Sequence, residues 1–121
     1  MPRDHTKLTV FELADALAID IYRATADFPP VERWGQQGQL RRAAVSVACN
    51  IVEGCARKTT REYVRFLNVA CSSASEARYL LGLAQRLDLL GPVGLHLLSR
   101  CDYLVRGLKK LVASLECATQ G

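Results

Sequence analysis

TTREYVRFLNVACSSASEARYLLGLAQRLDLL, residues 59–90, is the stretch whose spacing decides the fold. Tyr63, Phe66, Ala70, Ser73, Ala77, Leu80, Ala84 and Leu87 fall at alternating steps of three and four without a break. That spacing places side chains on one face of an α-helix. Thr59 and Glu62 form a capping box at its start, with Arg57 and Lys58 just ahead. The helix predicted over 60–90 is roughly 45 Å long at about 1.5 Å per residue. Its row mixes large residues with Ala and Ser, a coiled-coil-like seam that lets a neighbouring helix approach closely.

Leu90-Gly91-Pro92 closes this helix, Gly suiting a left-handed cap and Pro the first turn of the next helix. That next helix, predicted over 92–117, repeats the pattern through Leu97, Cys101, Leu104, Leu108, Leu111 and Leu115. Upstream, a helix over 36–55 carries Leu40, Ala44, Val47 and Ile51 on one face and ends near Gly54. The first helix, 10–26, starts at a Thr9/Glu12 capping box and buries Val10, Leu13, Leu17, Ile21 and Ala24. Asp27-Phe28-Pro29-Pro30 stops it, since Pro lacks a donor and restricts the residue before it. Four helices on short loops predict an all-α, antiparallel up-down-up-down four-helix bundle, a single domain over 1–121. The first few residues and Cys117 to Gly121 are expected to fray. Leu67, Ala74 and Leu81 flank the main row of the third helix, as Leu98, Val105 and Val112 do on the fourth. These wide stripes fit either a generous monomer core or a second buried face used in self-association.

Composition agrees with one helical domain. The chain has 121 residues, 50% of them apolar and only 7% aromatic, so its core is built from Leu, Val, Ile and Ala. A chain this long buries roughly two-thirds of its unfolded surface, enough to fold without staples. The net charge is +4, with acids dominating up to Glu32 and bases dominating between Arg41 and Arg65. The five cysteines, Cys49, Cys55, Cys71, Cys101 and Cys117, contain no CxxC pair and read as structural thiols, without metal. The leading MPRDHTKLTV carries no apolar signal segment, and no run approaches the roughly 20 residues of a membrane span. A cytoplasmic protein with no membrane partner is expected.

Two polar stripes interrupt the oily faces. Arg42, Ser46, Asn50, Glu53 and Arg57 line one side of the second helix. They fit a solvated face with an i,i+4 Glu53–Arg57 pair, or a half-buried Asn50 that fixes the register against a neighbour. Arg61, Arg65, Asn68, Ser72 and Glu76 line the third helix and, with Arg57, Lys58, Thr59 and Thr60, begin a basic patch suited to phosphate. No aromatics alternate with these bases, so backbone contact is expected rather than base reading. Arg100, Arg106, Lys109 and Lys110 extend the patch or keep the fourth helix soluble. There is no Glu-x-x-His pair, clustered acid set, phosphate loop or nucleophile elbow, so no catalytic residue and no cofactor is assigned.

QLRRAAVSVACNIVEG (39–54) and REYVRFLNVACSSASEARYLL (61–81) resemble the bacterial four-helix-bundle family of 23S ribosomal-RNA intervening-sequence proteins, to which the accessory variability determinant of diversity-generating retroelements is related. Ser46, Asn50, Glu53, Gly54, Glu62, Phe66 and Glu76 are among the residues that match the family pattern. The resemblance implies a barrel-like homopentamer with a central channel. It further implies RNA or DNA as a partner, held by basic residues, and in the retroelement branch a reverse transcriptase. Ala48 and Cys49 stand where the family commonly has Pro and Ser, which implies a straighter second helix here. The function expected is that of a non-catalytic oligomeric nucleic-acid-binding accessory protein. Arg41, Arg42, Arg57, Lys58, Arg61 and Arg65 are its contact residues. The alternative is a protein-interaction scaffold in which the same arginines make salt bridges.

Overall fold

The computed structural model describes residues 3–120. Its helices are α1 (Thr9–Ala24), α2 (Gln36–Cys55), α3 (Thr60–Arg86) and α4 (Gly94–Gln120), with no strand among the described residues. Each packs against the next, and α4 closes the ring onto α1. Cross-helix bonds fix the antiparallel order. Arg41 of α2 reaches the Tyr22 carbonyl of α1 (3.0 Å), and Ser46 of α2 meets Ser73 of α3 (2.8 Å). Arg78 of α3 pairs with Asp102 of α4 (2.8 Å), and Arg100 of α4 with Asp20 of α1 (2.7 Å). The bundle thus has a basal end, formed by the start of α1, the α2–α3 turn and the end of α4. Its apical end carries the α1–α2 and α3–α4 connections. Ile21, Leu40, Ile51, Leu67, Leu81, Leu97, Leu104 and Leu108 fill the axis and are essentially inaccessible to solvent.

The helix limits show where local chemistry prevailed. α2 spans the predicted residues and continues unbroken through Ala48 and Cys49. The Thr59 cap of α3 forms: its hydroxyl oxygen accepts from Glu62 N–H (3.1 Å). The Thr9/Glu12 box does not form, because Thr9 is already helical and Glu12 N–H bonds to the Leu8 carbonyl (3.1 Å). Asp4 instead caps a 3-10 turn at His5–Lys7, accepting from Thr6 N–H and hydroxyl, which holds its carboxyl below the usual range. α3 ends at Arg86 rather than at Leu90. Asp88 adopts φ 59°, and the N–H groups of Asp88 and Leu89 return to the carbonyls of Gln85 and Ala84 (3.1 and 3.0 Å). This is a Schellman closure with an aspartate in the left-handed position that glycine usually takes. Gly91, φ 64°, begins the following 3-10 turn. α4 stays helical through Gln120, so the fraying expected from Cys117 onward does not occur there. Fraying at Met1, Pro2 and Gly121 concerns positions outside the described residues.

Of the predicted α3 row, Tyr63, Ala70, Ala77, Leu80 and Ala84 are buried as expected, but the stripe leans toward one flank. Leu67, Ala74 and Leu81, expected as flanks, are fully buried, whereas Phe66 and Ser73 are half-buried and Leu87 is exposed. Both rows have helical spacing; the phase is set by α3 having to face α2 and α4 at once. On α4, Val112 is buried, and Leu98 and Val105 pack on the core. The wide stripes are therefore used within one bundle, which removes their value as a sign of self-association.

Candidate nucleic-acid interface

Four of the six predicted contact residues meet at the basal end. The positions of Arg57 and Arg65 are set by the joint between α2 and α3. A Cβ at Gly54 would lie 3.0 Å from Phe66 Cβ and 3.1 Å from Tyr63 Cδ1, so the missing side chain lets the helices come this close. Half-buried Phe66 is flanked by two guanidiniums, Arg57 at 5.2 Å and Arg65 at 4.9 Å from its ring centre. Arg57 also donates to the Glu53 carboxylate (2.8 Å) and carbonyl (3.3 Å), satisfying the C-terminal end of α2. Glu62 stays beside its cap, its carboxylate accepting from the Thr59 hydroxyl (3.3 Å). Lys58 and Arg61 are exposed and, among the described residues, have no ion-pair partner.

Arg41 and Arg42 sit at the other end, about 20 Å along α2 from its basal terminus. They are therefore not part of one patch with the other four. Arg41 is a structural residue: Nε donates to the Thr25 hydroxyl (2.8 Å), a terminal nitrogen donates to the Tyr22 carbonyl (3.0 Å), and the guanidinium lies 4.4 Å over the Tyr22 ring. Thr25 is fully buried and donates to the Ile21 carbonyl (2.8 Å), so Arg41 completes the closure of α1. Arg42 is exposed.

Arg3 adds to the basal cluster although its sequence context gives no helical signal. It donates to the Arg57 carbonyl (3.0 Å) and covers the Tyr63 ring at 4.1 Å. Residues 3–12, 50–68 and 105–117, the part of the chain nearest the basal tip, hold nine bases (Arg3, Lys7, Arg57, Lys58, Arg61, Arg65, Arg106, Lys109, Lys110) against five acids (Asp4, Glu12, Glu53, Glu62, Glu116). The rest of the chain holds seven of each, so the whole +4 surplus lies at one end. At the apical end Arg78 and Arg100 are paired to Asp102 and Asp20.

The central motif residues have a structural part. Asn50 donates to the Ser46 carbonyl (2.8 Å) and hydroxyl (3.1 Å), and that hydroxyl meets Ser73 Oγ at 2.8 Å across the α2–α3 seam. The register contact is thus the serine pair, with Asn50 orienting it, while Glu53–Arg57 forms the expected i,i+4 ion pair. Glu76 is exposed on α3.

Burial disfavours ionisation of the inner thiols. Burial raises the Cys55 thiol and pushes Cys101 up to about 12, where its hydrogen points at the Ala74 carbonyl (3.3 Å). Tyr63 is likewise raised to about 12 by burial, with Cys55 beside it. Among the described residues no three His, Cys, Asp or Glu side chains cluster as metal ligands, and no helix is long and apolar enough to cross a membrane.

Residues 6–110, which include α1, α2, α3 and most of α4, match the family described as 23S rRNA-intervening sequence protein. The chain belongs to that family. No curated protein matches it. The family match takes in Gly54, Phe66, the serine pair and the basal lysines up to Lys110, and leaves Arg3 outside.

Proposed function

We propose that this intervening-sequence family member is a non-catalytic, cytoplasmic accessory protein that binds RNA or DNA backbone through the basal end of its bundle. It acts as a homo-oligomer, the pentamer being the assembly its resemblance implies. One observation supports this reading above the others: the +4 surplus is gathered at one end, with Lys58 and Arg61 carrying no internal partner among the described residues. Backbone binding is mainly counterion release, so several clustered free cations are the relevant quantity. If each copy neutralises about four phosphates, log K falls against log salt with a slope near −3. The test is titration of a structured RNA at rising salt, with Lys58→Gln/Arg61→Gln beside the wild type. Shallower salt dependence in the variant, with assembly intact by light scattering, supports the reading. No binding by the assembled wild type at low salt refutes it.

A second reading, a protein-interaction scaffold such as a reverse-transcriptase partner, has its own observation at the apical end. Val31 and Trp34 are 84% and 75% exposed on a loop held by Pro29, Pro30 and buried Phe28. Exposed tryptophans on rigid loops are favoured anchors at protein interfaces.

A further inference from the structure

Away from the α2–α3 turn, a groove of about 680 Å³ lies between α1 and α4 toward the basal end. Where α4 crosses α1 it carries Gly107, and a Cβ there would lie 3.2 Å from Val10 Cγ1. Buried Val10 and half-buried Leu13 of α1 line the apolar side of the groove. Along its α4 wall stand Tyr103, which is 57% exposed, and then Arg106, Lys109 and Lys110. The Arg106 guanidinium lies 5.9 Å from the Tyr103 ring centre. No carboxylate lines the groove.

Resting on the proposed nucleic-acid reading, we propose that this groove seats an unpaired nucleotide of a single-stranded RNA or DNA stretch, its base on Tyr103 and its phosphates on Arg106, Lys109 and Lys110. The composition of the groove selects that chemistry. A purely anionic ligand needs the three cations but not the apolar floor, and an apolar ligand needs the floor but not the cations. A nucleotide needs both: a flat ring that gains from stacking and a phosphate on either side. Bases within a duplex are stacked and paired and do not reach such a slot, so the ligand is unpaired. An aromatic is therefore interleaved with bases after all, on α4, at 103, 106 and 110, although the α2–α3 turn has none available. There Tyr63 is buried under Arg3 and Phe66 is half-buried between two arginines, whereas Tyr103 is 57% exposed with Arg106 alone beside its ring.

The experiment compares a labelled single-stranded 20-nucleotide RNA, the same sequence as DNA, and a blunt duplex of equal length, by fluorescence anisotropy with the full chain. Tyr103→Ala is expected to weaken both single strands about tenfold and leave the duplex unchanged, while Tyr103→Phe keeps wild-type affinity. The slope of affinity against salt stays the same in both variants, since no cation is removed. Ala113→Glu, which adds an acid to the groove wall at an exposed site, weakens single-strand binding too. An unchanged single-strand affinity in Tyr103→Ala, or an equal loss on the duplex, overturns this proposal alone. Absence of binding to all three nucleic acids overturns the functional reading as well. Tyr103-dependent binding of an acidic peptide or of anionic vesicles, without single-strand preference, assigns the groove to that ligand and also overturns it.

Discussion

Arg41 and Arg42 are adjacent, carry the same charge and belong to the same motif, yet the structure predicts opposite consequences for removing them. Arg41→Ala deletes a bond to a buried hydroxyl at 2.8 Å, a bond to a helix C-terminal carbonyl at 3.0 Å, and the stacking on Tyr22. A hydrogen bond from a charged donor contributes about 1.5–3 kcal/mol, and an exposed cation–π contact about 0.5–1 kcal/mol. Arg41 is only partly buried and its contacts overlap, so the loss is about 2–3 kcal/mol rather than their sum. For a chain of this length that lowers the melting temperature by roughly 8–12 °C. Arg41→Lys keeps the charge but cannot hold both acceptors with one planar fork, and retains about half. Arg42→Ala removes an exposed side chain and changes stability by less than about 0.5 kcal/mol. Urea unfolding followed by far-ultraviolet circular dichroism measures all three variants. Equal midpoints for Arg41→Ala and Arg42→Ala, or a lysine variant as stable as wild type, would refute the assignment of Arg41 to α1 closure.

The shifted phase of α3 gives a paired test. Leu67→Ala should cost about 2–5 kcal/mol as a core cavity, while Leu87→Ala stays within about 0.5 kcal/mol, both read from chemical unfolding. Asp88→Gly relieves a left-handed Cβ and removes a negative charge from a helix C-terminus. A gain of about 0.5–1 kcal/mol in a thermal melt is expected, after the entropy of glycine in the unfolded chain is counted. Alkaline stability should reveal the buried thiol. Cys101 stays protonated in the fold up to about 12 but ionises near 9.0 when unfolded. Its contribution is complete below pH 9 and declines as pH rises through that window, at roughly 1.4 kcal/mol per pH unit. Cys101→Ala should reduce the pH dependence of the unfolding midpoint there, with Cys55 and Tyr63, both raised by burial, supplying what remains.

What could be read from the chain ahead of the fold divides along physical lines. The end of α2 near Gly54 and the Thr59 cap were legible because glycines and capping residues act locally, whereas Gly35 and Gly38 left the start of α2 loosely defined. The end of α3 was not, since an aspartate took the left-handed position ahead of Gly91. Nor was the phase of the α3 stripe: Phe66 and Leu67 both belong to rows of helical period, and only the placement of α2 and α4 chooses between them. The same limit applies to the interface. Arg41 and Arg42 look alike until Thr25, 16 residues upstream, takes one of them. The α1–α4 groove brings Val10 and Leu13 beside Tyr103 and Arg106, residues far apart in sequence, and no local pattern announces it.

The one-ended charge has a consequence for assembly as well as binding. Copies packed side by side in parallel would bring their basal ends together, so each added subunit works against like charge. Under the proposed function, a bound polyanion would cancel that repulsion, and assembly and nucleic-acid binding would each strengthen the other by the same factor. Added salt would then act on the two in opposite directions, screening the repulsion that opposes the oligomer while weakening the attraction that holds the ligand.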